Sequence, residues 1–136
     1  MPEEKNQQKQ QEIMFKLSMF EQQIQQLQQQ LQAVEKGIVE LNSLNLGLDE
    51  LVGKEGKEIF ASIGKGIFAK AKLISEDLIV DVGDKNLVKK TIPETQNLIK
   101  DQIGKLEEVK VELNKNLDAT SSELKGLIKS VDKPKI

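Results

Sequence analysis

The chain has 136 residues, with 20 basic side chains, all Lys, against 22 Asp and Glu, and it contains no Cys, His, Trp or Tyr. That is enough for one modest domain poor in the aromatics that build large cores. Zinc sites of thiolate or imidazole, cysteine and Ser-His-Asp hydrolases and every His general base are excluded for want of the residues. So is the planar Arg fork that grips phosphates and carboxylates. A formal charge of -2 predicts no general attraction to nucleic acid. Without Cys there is no disulfide framework, which favours an intracellular setting. The start, Met1 to Asn6 followed by Gln, has no apolar core of a signal peptide. Nor does any run of apolar residues reach the length of a membrane span. A cytoplasmic chain with no membrane contact is expected.

A helix is predicted over about residues 5–47. The segment has no Pro after Pro2 and no Gly before Gly37, and it is dense in Gln from Gln7 to Gln32, a good helix former. Its apolar residues fall at Ile13, Leu17, Phe20, Ile24, Leu27, Leu31, Val34, Ile38 and Leu41, alternately four and three apart. That is a heptad seam, with Leu17 at a, Ile13 and Phe20 at d, and Asn45 at the last a before the helix frays near Gly47.

Residues 58–91 change character. Glycines appear and the apolar period becomes two. Ile59, Ala61 and Ile63 alternate, Gly64-Lys65-Gly66 turns, and Ile67, Ala69, Ala71 and Leu73 alternate again. Leu78, Val80 and Val82, the turn Gly83-Asp84-Lys85-Asn86 and the stretch from Leu87 to Lys90 predict a second hairpin. Lys70 and Lys72 are read as an exposed polar side. Two hairpins alone leave bare edges and an apolar face, and they are not stable in isolation. These strands are therefore expected to pair with other chains.

The last helix, residues 92–131, opens with Thr91 as cap, Glu94 as its box partner and Pro93 in the first turn; a tail covers 132–136. Its seam is Ile99, Ile103, Leu106, Lys110, Leu113, Leu117, Thr120, Leu124, Leu127 and Val131, with Lys110 laying its stem beside Val34. Antiparallel pairing requires partner numbers of constant sum, and 144 matches every a of one helix to a d of the other. Leu17 then meets Leu127, Leu31 meets Leu113 and Asn45 meets Ile99. At 1.5 Å per residue the arm is about 50 Å long.

Few motifs carry chemistry. Gly53-Lys54-Glu55-Gly56-Lys57-Glu58 lacks both the spacer and the terminal Ser or Thr of a phosphate loop. Gly64 and Gly66 lie between strands and lack the third glycine of a dinucleotide site. Asp77, Asp81 and Asp84 are turn and solvent residues, not a metal cluster. No acid, base and nucleophile converge, so neither an enzyme nor a cofactor is expected. Phe15 and Met19 are different. They fall at f and c, away from the partner helix, with Met14 on the flank and Ile128 at e on the other helix; either the terminal turn frays or packs against a third helix, or these residues form a clustered apolar tip of adaptable side chains that marks an interaction site.

The order helix, two hairpins, helix, with EIFASIGKGIFAKAKL over Glu58 to Leu73 and LIVDVG over Leu78 to Gly83, resembles the prefoldin family, and its alpha class in having two hairpins. The resemblance covers nearly the whole of 1–136 as a single domain. It implies an α+β fold, a long antiparallel two-helix coiled coil whose two central β-hairpins build an intersubunit β-barrel. It further implies a hexamer of two alpha with four beta subunits, an ATP-independent chaperone that captures unfolded client proteins at its arm tips and passes them to a group II chaperonin. Carried onto this chain, client contact falls at Ile13, Met14, Phe15, Leu17, Met19, Leu127, Ile128 and Val131. Oligomerisation falls on Ile59, Ala61, Ile63, Ile67, Ala69, Ala71, Leu73, Leu78, Val80, Val82 and Leu87. The alternative on the same fold is a scaffold or adaptor whose arms recognise one folded partner. An RNA-binding arm is disfavoured, since the first helix carries only Lys5, Lys9, Lys16 and Lys36.

Overall fold

The computed structural model describes residues 2–132, and the side chains of 6–130. Helix α1 runs Pro2–Leu51, strands β1 to β4 follow at Glu58–Gly64, Ile67–Lys72, Leu78–Asp81 and Leu87–Lys90, and helix α2 runs Ile92–Asp132. The described residues form two compact units, one of those up to Gly37 with those from Leu106 on, the other of residues 38–105.

In the first unit both helices turn one stripe inward. Ile13, Leu17, Phe20, Ile24, Leu27, Leu31 and Val34 on α1, and Leu106, Lys110, Leu113, Leu117, Thr120, Leu124 and Leu127 on α2, are all half-buried, and all but Thr120, which has half-buried Ser121 beside it, lie between exposed neighbours. This is the burial a heptad seam requires of a pair of helices. The contacts reproduce the expected register. Lys110 Nζ lies 3.7 Å from Glu35 Oε1, and Leu106 Cδ1 is 3.3 Å from where a Cβ on Gly37 would stand. These pairs add to 145 and 143, either side of 144. Lys110 keeps its stem in the seam while its ammonium reaches a surface carboxylate.

The second unit holds the core. Leu48, Ile92 and Ile99 are buried, with Leu41, Leu51, Leu78 and Ile103 packed on them. Leu48 explains why α1 does not stop near Gly47 as the sequence suggests. It continues the seam three residues beyond Asn45, and burying it against Ile92 and Ile99 outweighs one helical glycine, which costs about 1 kcal/mol. The helix ends instead at Leu51, where Lys54 N–H returns to Leu51 O at 3.2 Å and Gly53, at φ 76°, takes the left-handed turn. Gly53 N–H also donates to Glu76 Oε1 from the linker between the hairpins. At the other helix the cap is present in its Thr half, with Glu94 N–H donating to Thr91 Oγ1 at 3.2 Å. Thr95 Oγ1 donates to Thr91 O at 2.9 Å.

The strands form two separate two-stranded sheets, β1–β2 and β3–β4, both antiparallel. The first pairs Ile59 with Ala71, Phe60 with Lys70, Ala61 with Ala69 and Ser62 with Phe68, then shifts register before Gly64 meets Ile67. The extra residue at this bulge is Ile63. The alternation expected from Ile59 through Ala61 to Ile63 is therefore broken at the turn, and Ile63 and Ile67 are left 71% and 60% exposed. The second sheet pairs Leu78 with Lys90, Ile79 with Lys89, Val80 with Val88 and Asp81 with Leu87. Its turn places Asp84 and Lys85 at positive φ after Gly83, and Asp81 Oδ1 accepts Gly83 N–H at 2.9 Å. That bond assigns Asp81 to turn chemistry.

Candidate functional site

Residues directly opposite in an antiparallel ladder share a face. One face of the first hairpin therefore carries Ile59, Ala61, Ala69 and Ala71, all half-buried. The other carries Phe60 and Phe68 among Glu58, Ser62, Lys70 and Lys72, with both rings exposed. From the sequence this face reads as the polar side, on the strength of Lys70 and Lys72. The signal for the two aromatics was the nearly unbroken apolar run through β1, which is how a strand destined for cover on both faces reads. A groove of about 1260 Å³ opens beneath, lined by Leu44, Leu48, Leu51, Ile59, Phe60 and Phe68 among others.

The second hairpin repeats the arrangement. Leu78 and Val80 are half-buried, whereas Ile79 and Leu87, on the opposite face, are exposed. Val82, just past β3, is exposed as well. With Leu73 and Ile74 these two line a second apolar groove of about 730 Å³. At its rim Lys89 Nζ pairs with Asp77 Oδ2 at 3.4 Å. Among the described residues each hairpin thus keeps apolar side chains exposed on one face. Such faces stay in water only at a cost of about 25 cal/mol per Å².

The tip residues divide by seam position. Ile13, Leu17 and Leu127 are half-buried in the helix pair. Met14 and Phe15 are 69% and 67% exposed, and Met19 and Ile128 are exposed too. Val131 belongs to α2, but its side chain lies outside the described residues. Among the described residues no group of three or more carboxylates is placed to hold a metal ion, and no helix is long and apolar enough to cross a membrane.

The family model "Prefoldin subunit" matches residues 20–134. A prefoldin subunit alpha of Methanobrevibacter smithii is 34% identical over 103 residues, covering 75% of this chain and 70% of that protein. A second, from Methanosphaera stadtmanae, is 25% identical over 92 residues, covering 68% and 67%. Among solved structures, a filamentous PFD from Methanocaldococcus jannaschii superposes with a TM-score of 0.74 at 21% identity, over 84% of this chain and 96% of that one. In that fold the barrel is made between subunits, which accounts for two sheets left open within one chain. With helix, paired hairpins and helix in that order, and with alpha subunits as its relatives, the chain belongs to the prefoldin family.

Proposed function

We propose that the chain is the alpha-type subunit of a cytoplasmic hexamer of two alpha and four beta subunits, an ATP-independent chaperone that holds non-native polypeptides at its helix tips and hands them to a group II chaperonin. The observation that carries this reading is the pair of open two-stranded sheets with exposed Phe60, Phe68, Ile79 and Leu87, faces that neighbouring hairpins of the same family would close. Membership of a chaperone family without enzymatic activity supports the rest. The exposed Met14, Phe15 and Met19 are unbranched or aromatic side chains able to repack on unrelated apolar segments, and exposed Ile128 adds apolar area beside them. Several arms, each binding weakly, hold one client through effective concentration and still let it go.

The test is co-expression with a beta-type prefoldin subunit followed by native mass spectrometry. A mass of two copies of this chain with four of the partner is the expected result. A monomer under every condition would retire the hexamer in favour of an adaptor that binds one folded ligand.

A further inference from the structure

Outside the seam, α1 carries a second run at coiled-coil spacing. Phe15, Met19, Gln22, Gln26, Gln29 and Ala33 recur alternately four and three apart, with Glu12 and Lys36 one step beyond either end, and all of them are exposed. From Gln22 to Val34 the helix has no charged residue, while α2 never goes more than five residues without one. A helix face that meets only water has no need to exclude charge, whereas charged residues are depleted where one protein surface covers another. Among the described residues neither Glu12 nor Lys36 has an ion-pair partner within the chain.

The run is complementary to itself. Antiparallel copies pair residues whose numbers add to a constant, and at 48 Glu12 meets Lys36, Phe15 meets Ala33, Met19 meets Gln29 and Gln22 meets Gln26. Each pair joins the two alternating positions of the run, as an a of one helix meets a d of the other in an antiparallel coiled coil. The aromatic ring faces the smallest side chain, and the charges that close the ends are opposite. The registers one heptad to either side lose both features. One sets Lys36 against Lys5, and the other sets Lys36 against Met19 and Phe15 against Glu40.

We propose that this face of α1 binds the same face of a second copy of the chain, antiparallel and in that register. A two-fold contact of this kind is isologous, so every pair occurs twice. Gln22 and Gln26 meet beside the axis, where each amide can both donate and accept. Phe15 on Ala33 supplies the apolar contact on either side, and the two Glu12–Lys36 pairs hold the ends against slippage. From Glu12 to Lys36 the run is about 36 Å of helix. One helix face of that length buries less than a permanent interface does, so the pairing is reversible and grows with concentration.

The chain has no Cys, so added cysteines report the contact. Gln22→Cys and Gln26→Cys versions of the full chain are prepared separately, mixed at equal concentration and oxidised, and the disulfide-linked product is compared on a denaturing gel with that of each version alone. The mixture is expected to link severalfold more than either alone, since in this register only unlike positions lie opposite each other. Lys36→Glu, introduced into both versions, sets like charges opposite at both ends and should lower the yield of the mixture about fivefold. Glu12→Lys/Lys36→Glu makes the end charges opposite again and should return it. All these positions are exposed, so helix circular dichroism should not change. Strong linking of Gln22→Cys to itself would mean a parallel pair, and linking of Gln22→Cys to Glu123→Cys, exposed on α2, would make α2 the occupant; either overturns the proposal. So does a mixture that links no more than its components, or a double charge reversal that fails to recover the yield. The readout needs neither a beta-type subunit nor a client, so it stands apart from the chaperone reading.

Discussion

Asn45 is the one amide on α1's seam. Its side chain is half-buried, its Oδ1 is buried without a hydrogen-bond partner, and its main-chain oxygen accepts Gln96 Nε2 at 3.4 Å. Gln96 also donates to Asp49 Oδ1. An unsatisfied acceptor in a seam lowers stability but opposes sliding of one helix along the other, as single polar seam residues do in coiled coils. Asn45→Leu should therefore raise the urea midpoint, by about 1–2 kcal/mol in free energy, at fixed protein concentration. A lower midpoint would mean that the larger Leu side chain strains the packing around Ile99. Register then becomes the property at risk, and cysteines placed at Glu35 and Lys110, in a chain with no native Cys, would report it by disulfide yield.

At the scale of elements, the end of α1, the two hairpin turns and the start of α2 are each set by a local hydrogen bond or a left-handed turn. Thr91→Ala deletes the acceptor for Glu94 N–H and should cost α2 about 1 kcal/mol, visible as faster hydrogen exchange at Glu94 with no change near Leu124. Unchanged exchange at Glu94 would show that Ile92 and Ile99, buried in the core, hold the first turn without the cap. The hairpin turns were legible from Gly64, Gly66 and Gly83, since positive φ there demands glycine. The bulge was not, because a register shift follows from how the turn closes on the partner strand, which a period of two along one strand cannot encode.

For the molecule as a whole, assembly and client holding are expected to separate. Phe60→Ser/Phe68→Ser removes two exposed rings from a hairpin face and should shift the native mass from hexamer toward smaller species, with helix content retained. Phe15→Ser/Met19→Ser should leave the assembly mass unchanged and weaken suppression of client aggregation several-fold, since a modest loss per arm multiplies over the arms that hold one client. Loss of assembly in the tip variant would make Phe15 and Met19 packing residues; full assembly in the hairpin variant would remove Phe60 and Phe68 from the interface.

The sequence by itself determined the two helices, the antiparallel register and the number of hairpins. These depend on periods of 3.5 and 2 and on turn residues, all local in the chain. It also marked Phe15 and Met19 as outward-facing and Met14 as flanking the seam, because position in a heptad fixes direction. Tertiary structure decided the rest. α1 passes Gly47 because Leu48 finds Ile92 and Ile99 at the start of α2, a contact that outweighs local propensity. Alternation alone turns Phe60 and Phe68 away from Ile59, Ala61, Ala69 and Ala71, but that both rings stand exposed was decided by the fold, since an apolar side chain's role depends on what, beyond its own strand, comes to cover it.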